Sequence, residues 1–238
     1  MGGMIRRRLL LNYGIEPGVV EPLLPEGFRP KLVGGSAIGG ICLIRLEKVR
    51  PRGVPGFLGI ASENSAHRFA VEWGDGEKAR EGVFIPRRDT DSRLNALAGG
   101  RLFPGAHRLS EFSVRDDGRL IEMEVRHGGV PLVEVVAREA EGLPGDSIFK
   151  NLAESSAFFE AGCVGYSSRP DSCVLDGLLL KVADWQASAL AVEVVRSAYF
   201  DDRSLFPEGS IRFDHGLLMR DVAHEWHAEE EMAPGFFL

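Results

Sequence analysis

The densest polar cluster in the chain runs from Ile85 to Asn95 and carries Arg87, Arg88 and Arg93 among Asp89, Asp91 and Asn95. Guanidinium forks recognise a carboxylate or phosphate at two points, and neighbouring aspartates can hold the forks in place. The cluster follows a strand, and segments at strand ends carry binding residues on a rigid scaffold. One reading is an anion-binding wall in which Arg87, Arg88, Asp89, Arg93 and Asn95 contact a ligand. The other is a solvated turn that leads into a helix.

A second cluster, Ser62-Glu-Asn-Ser-Ala-His-Arg68, precedes the apolar run Phe69–Trp73. Glu63 and His67 meet only on a helix, where residues four apart are neighbours. In an extended chain His67 shares a face with Phe69 and Val71, which makes it either a core histidine or a base. A third group comprises His215, His224 and His227. One helical face could present His224 and His227 together to a metal, but their spacing lacks a residue of the His-Glu-x-x-His pattern, and no metal site is expected. Neither a nucleophile elbow nor a phosphate-binding glycine loop is present. The run Gly34-Gly-Ser-Ala-Ile-Gly-Gly40 reads as a strand that needs close backbone approach. Cys163 follows a helix end, where nothing in the sequence activates a thiol.

The elements that must position these residues are mostly strands. Ile121, Met123 and Val125 alternate with Glu122, Glu124 and Arg126, the period of a half-buried strand. Asp116-Asp-Gly118 and His127-Gly-Gly129 are turn signals on either side, so Glu111–Arg115, Ile121–Arg126 and Val130–Arg138 form an antiparallel meander. Further strands are expected at Ile38–Leu46, Arg68–Trp73, Val83–Ile85, Val174–Leu180, Ala189–Arg196 and Ser210–Met219. Helices are few: Pro17–Leu24, Ser92–Ala98 and Asn151–Ala161, the last with Asn151 as cap and Glu154 three residues on. Many short strands and few helices give a β-dominated α+β fold, a barrel or sandwich that closes its edges.

Composition narrows the partners. The 238 residues carry 28 basic and 35 acidic side chains, a net charge of −7. That balance excludes a general nucleic-acid binder and argues equally against an anionic membrane surface. Only Lys31, Lys48, Lys78, Lys150 and Lys181 could support lysine chemistry. Three cysteines, Cys42, Cys163 and Cys173, form no paired motif, which suits a reducing compartment. The run Leu9-Leu-Leu11 after three arginines is too short for a signal core, and no run reaches the ~18 apolar residues of a membrane span. A cytoplasmic protein with a single domain over residues 1–238 is expected, since no linker or repeat divides it.

Three stretches together resemble the acetoacetate decarboxylase-like superfamily and, within it, a family of uncharacterised bacterial proteins of the DUF2071 type. They are Tyr13 to Lys31 with its Leu-Pro-x-Gly, Glu81-Gly-Val-Phe-Ile-Pro-Arg-Arg-Asp89, and Arg101-Leu-Phe-Pro-Gly-Ala-His107. The resemblance implies an antiparallel β-barrel core with a few short helices and a small-molecule cavity. In the decarboxylases a lysine with depressed pKa attacks a β-keto acid to form an imine. Here Gly105 and Ala106 stand where the paired lysines fall, and Gly14 where an arginine falls; the glutamate is retained as Glu81. The resemblance therefore implies a carboxylate- or carbonyl-binding protein without an imine and without a cofactor. Arg87, Arg88, Arg93 and Arg101 would meet a small organic acid, and Glu63, His67, Asp89 and Asn95 would complete the site. Glu81 and His107 would be acid/base groups of lyase- or isomerase-like chemistry. The rivals are a non-catalytic sensor or carrier of an organic acid, and a structural subunit whose strand edges pair in a homo-oligomer. Borohydride reduction in the presence of acetoacetate should leave the protein mass unchanged; a trapped adduct would reveal an imine-forming lysine.

Overall fold

A computed structural model describes residues 1–51, 53–76, 79–98, 105–169 and 172–232. Fourteen strands are found among them: β1 (Gly2–Ile15), β2 (Arg29–Pro30), β3 (Leu32–Val33), β4 (Ser36–Arg50), β5 (Ile60–Trp73), β6 (Arg80–Thr90), β7 (His107–Leu109), β8 (Glu111–Asp116), β9 (Leu120–His127), β10 (Val130–Ala140), β11 (Val164–Arg169), β12 (Ser172–Val182), β13 (Ser188–Ser197) and β14 (Ile211–Met232). The α-helices are α1 (Pro17–Val20), α2 (Arg93–Ala98) and α3 (Leu152–Ala161).

Seven of the strands close a ring. Each neighbour pairs with the next in the order β1, β4, β5, β6, β11, β12, β14, and β14 returns to β1. All these pairings are antiparallel except β6 with β11. Closure leaves the ring without edges to protect. From β14 the sheet continues outward through β13, β10, β9 and β8, and the last three are the antiparallel meander expected from the sequence.

The apolar patterns follow from this arrangement. In β1, Leu9 and Leu11 pack outward into the main core with Phe69 of β5, Val135 of β10 and Phe200. Leu10 faces the ring interior with Leu217 of β14 and Phe149 and Phe159 from around α3. A strand buried on both faces reads as a continuous apolar run, which is why Leu9-Leu-Leu11 does not alternate. The segment that carries α3 plugs one end of the ring. Its cap forms as the sequence implies: Asn151 Oδ1 accepts from the Glu154 amide at 2.9 Å. Glu154 itself reaches back one residue further than a capping box does, to the Lys150 amide at 3.1 Å. No described helix is long and apolar enough to cross a membrane.

Several strands run longer than their apolar patterns suggest. β5 begins at Ile60 rather than Arg68, and β6 spans Arg80–Thr90 rather than Val83–Ile85. The Arg87-Arg-Asp89 cluster therefore lies within a strand, not in a solvated turn. Buried polar residues account for the difference, since Ser62, Glu63, Ser65, His67 and Arg68 all lie inside the structure and mask the alternation. β14 likewise continues through His224 and His227, so the helical pairing of these two histidines does not occur.

Candidate functional site

Every strand of the ring contributes to one internal cavity of about 130 Å³. Arg8 comes from β1, Cys42, Ile44 and Leu46 from β4, and Asn64 to Ala66 and Arg68 from β5. Val83, Ile85 and Arg88 come from β6, Gly165 from β11, Leu178 and Leu180 from β12, and Trp226 from β14. Asn95 of α2, His107 of β7, and Gly162 and Cys163 after α3 complete the wall. Three guanidinium groups thus meet one mostly apolar space. Among the described residues that line it there is no aspartate, glutamate or lysine.

A bulge decides which arginine enters. From His67 to Phe69 β5 advances two residues, whereas the opposing stretch of β6, Arg87 back to Phe84, advances three. The extra residue reverses the alternation. Val83, Ile85 and Arg88 then share the interior face, and Arg87 turns to the outer face beside His67. Arg88 donates from Nε to Ser167 Oγ at 3.0 Å. Gly105 makes room for this contact. Its φ is +81°, and a Cβ there would lie 2.6 Å from the Ser167 Cβ. Burial pushes the Arg88 guanidinium down to about 10, opposed by Cys42 and Asp176, so it stays charged at neutral pH.

Arg68 is fixed by a buried relay. It donates from Nη2 to Asn12 Oδ1 at 2.7 Å and stacks 4.7 Å from the Phe159 ring centroid. Asn12 Nδ2 in turn lies 3.2 Å from His215 Nε2, and His215 Nδ1 lies 2.6 Å from Asp214 Oδ2. A carboxylate only accepts, so Nδ1 carries the hydrogen and Nε2 accepts from Asn12 and from Ser155 Oγ at 2.7 Å. This tautomer sets the Asn12 amide with its oxygen toward Arg68. Gly40 leaves space for it, since a Cβ there would stand 2.7 Å from the Leu11 carbonyl oxygen and 3.1 Å from Asn12 Oδ1. Burial pushes Arg68 down to about 10 as well. Arg8 donates from Nε to Cys42 Sγ at 3.4 Å and lies 5.4 Å from the Trp185 ring.

Of the residues singled out in the sequence, Arg88, Asn95 and His107 come together at the cavity. The other described candidates for catalysis or ligand binding do not line it. Glu81 sits part-exposed in an ion pair with Lys31. Arg87 and Arg108 converge on the buried Asp89, which also accepts from Ser110 Oγ at 2.8 Å, so Asp89 ties β7 to β6. Glu63 receives Arg7 at 2.9 and 3.0 Å on the outer face. His67 is a core residue, bonded through Nε2 to Ser197 Oγ at 3.0 Å. Arg93 is exposed on α2, and Arg101 falls outside the described residues. Among the described residues no cluster of histidine, cysteine and carboxylate able to hold a metal occurs. Sequence reading missed Arg8, Arg68 and Cys42, because only strand register brings them together. Arg68 stood within the quoted second cluster, but nothing in that run marks the direction of its side chain.

Residues 4–161 match the model of a family described as an uncharacterized conserved protein, DUF2071. Similar solved structures include an acetoacetate decarboxylase from Legionella pneumophila, 14% identical, covering 97% of this chain and 87% of that one at a TM-score of 0.61. An acetoacetate decarboxylase-like enzyme from Sphingomonas wittichii RW1 is also 14% identical, over 97% of this chain and 93% of its own, at a TM-score of 0.63. The enduracididine biosynthesis enzyme MppR, in complex with pyruvate, is 11% identical over 93% of this chain and 87% of its own, at a TM-score of 0.56. At these identities the likeness shows the fold, an acetoacetate decarboxylase-like one. No curated protein matches the chain.

Three histidines are held neutral by their surroundings. Burial and then Arg87 push His67 down to about 3. Burial and Arg88 push His107 down to about 4, partly offset by Gly105 O, to which Nδ1 donates at 3.2 Å. Burial, then Arg8, push His224 to about 4. In the unfolded chain each titrates near ~6.5. Below that pH the unfolded state binds more protons, so the stability these groups contribute is complete above ~6.5 and is lost as pH falls. The melting temperature should drop steadily between pH 6.5 and 4. A flat profile over that window would contradict the burial of neutral imidazoles.

Proposed function

The chain belongs to the DUF2071 family of uncharacterized conserved proteins, and from that membership and the site's charge we propose that it binds a small carboxylate or carbonyl compound inside the ring. One observation carries the reading: Arg8, Arg68 and Arg88 line a single cavity whose described lining holds no carboxylate. Removing a cation from water is costly unless an anion or dense hydrogen bonding compensates it. The hydrogen-bond partners at hand are Cys42, Asn12 and Ser167, none of them a carboxylate. Asp176 partly offsets Arg88. A ligand carboxylate would supply the missing charge, and Ile44, Leu46, Ile85, Leu178 and Leu180 would enclose a short apolar body.

Imine chemistry does not fit this wall. The resemblance puts the decarboxylases' paired lysines at Gly105 and Ala106, and at Gly105 the positive φ and the 2.6 Å that would separate a Cβ from the Ser167 Cβ disfavour a side chain. These features support a reaction without that electron sink, other than acetoacetate decarboxylation. His107 is the imidazole at the cavity. With its hydrogen on Nδ1, its lone pair lies on Nε2, and a bound anion would raise its depressed pKa by countering Arg88. Its place in the lining beside Arg88 supports His107 as the acid/base group of lyase- or isomerase-like chemistry. The part-exposed Lys31 ion pair of Glu81 favours a second reading, a non-catalytic sensor or carrier, because it leaves the cavity without the second acid/base group.

A thermal-shift panel of small keto and hydroxy acids separates these cases from no binding at all, since a ligand that binds the native state raises its melting temperature. Carboxylates should stabilise the protein, and Arg88→Lys should weaken their binding about tenfold through loss of the two-point fork. Stabilisation by uncharged analogues alone, or unaltered affinity in the variant, would overturn the assignment.

A further inference from the structure

We propose that Cys42 is a covalent attachment site: its sulfur is the nucleophile toward a short carboxylate whose α-carbon is electrophilic. The proposal rests on the carboxylate reading of the cavity and names what the captured ligand meets there.

Cys42 lies on the interior face of β4, paired with Leu10 of β1 and Ala66 of β5. Its sulfur accepts from Arg8 Nε at 3.4 Å. Arg68 and Arg88 line the same space, and negative charge developing on the sulfur would favour both guanidinium groups. A donor from a guanidinium bonds a thiolate more strongly than a thiol, so this contact strengthens as negative charge develops on sulfur. The same guanidinium groups would hold a carboxylate against the cavity wall. An α-carbon is one bond from its carboxylate, so capture of the anion brings that carbon to the sulfur. Positioning of this kind replaces a bimolecular encounter with a near-unimolecular one.

A ligand is independently called for by polar atoms left over at the cavity. Asn95 Oδ1 and Arg68 Nε have no hydrogen-bond partner among the described residues. Their residues are only 4% and 5% exposed and both line the cavity. Buried polar groups are otherwise satisfied. A donor and an acceptor in the same lining suit a ligand that carries both a carboxylate and a second polar group. Cys163 also lines the cavity, but its sulfur donates to Glu160 O at 2.7 Å and burial pushes its thiol up, so it is the poorer nucleophile.

The step balances without an oxidant. The sulfur electron pair forms the S–C bond at the α-carbon. With a 2-halo acid the C–halogen bond breaks, halide leaves and the thiol proton passes to water. With a 2-oxo acid the C=O π pair moves to oxygen, which takes the thiol proton to give a hemithioketal.

The test compares iodoacetate, which has the carboxylate, with iodoacetamide, which lacks it, on the wild-type protein at neutral pH. Labelled positions are read by peptide mass. Iodoacetate should modify Cys42 at least about tenfold faster than iodoacetamide does, and acetate should slow it by competing for the arginines. Equal or slower labelling of Cys42 by iodoacetate, or labelling confined to Cys163, would overturn the proposal. If acetate raises the melting temperature while Cys42 shows no preference, the attachment site fails and the carboxylate pocket stands. If neither effect is seen, both fall.

Discussion

Three like charges facing one cavity of a closed ring of strands, one of them buried and two part-buried, set the terms for the rest of this structure. Arg8, Arg68 and Arg88 reach the cavity from β1, β5 and β6. Their mutual repulsion and lost hydration oppose closure of the ring. Closure is offset by the apolar layers on both faces of β1 and β4 and by a hydrogen-bond partner for each guanidinium. The arginines are therefore held by hydrogen bonds and ring contacts, without a carboxylate in the described lining, and the positive potential is left for a ligand.

The fold's irregularities serve that arrangement. One surplus residue in β6 exchanges Arg87 for Arg88 on the interior face. Gly40 and Gly105 stand where a side chain would displace Asn12 or Ser167, the acceptors for Arg68 and Arg88. The Asp214–His215–Asn12 relay extends the support to the plug around α3, so Arg68 is oriented by groups that never touch the cavity. The Ser155–His215–Asp214 geometry resembles that of a hydrolytic triad, yet all three residues are buried and Ser155 is not part of the cavity wall. Its consequence here is orientation.

Legibility in the sequence followed the strength of local patterns. The meander β8–β10 was readable because Ile121, Met123 and Val125 alternate with charges over one solvated face and carry clear turn signals. The cap at Asn151 was equally local. The family resemblance supplied the barrel, which no periodicity could. The site was only partly legible. Arg88, Asn95 and His107 stood out by type, but a period-two reading places Arg87 and Asp89 on one face with Ile85, and only the bulge corrects this. Arg8 and Cys42 are contributed by strands distant in sequence, so their approach is a matter of register. Glu81 was suggested by analogy with a family motif, and its partner Lys31 draws it away from the cavity wall.

The charge selectivity of the cavity is tested most directly by calorimetric titration with an isosteric pair, propionate and propionamide, at low ionic strength. The two differ little in shape, so only the interaction with Arg8, Arg68 and Arg88 separates them. Saturable binding of propionate at one site per chain, with no detectable binding of the amide, is the outcome required by an uncompensated cationic pocket. Equal affinity for the two, or binding of neither, would show that the guanidinium charges are already balanced within the protein.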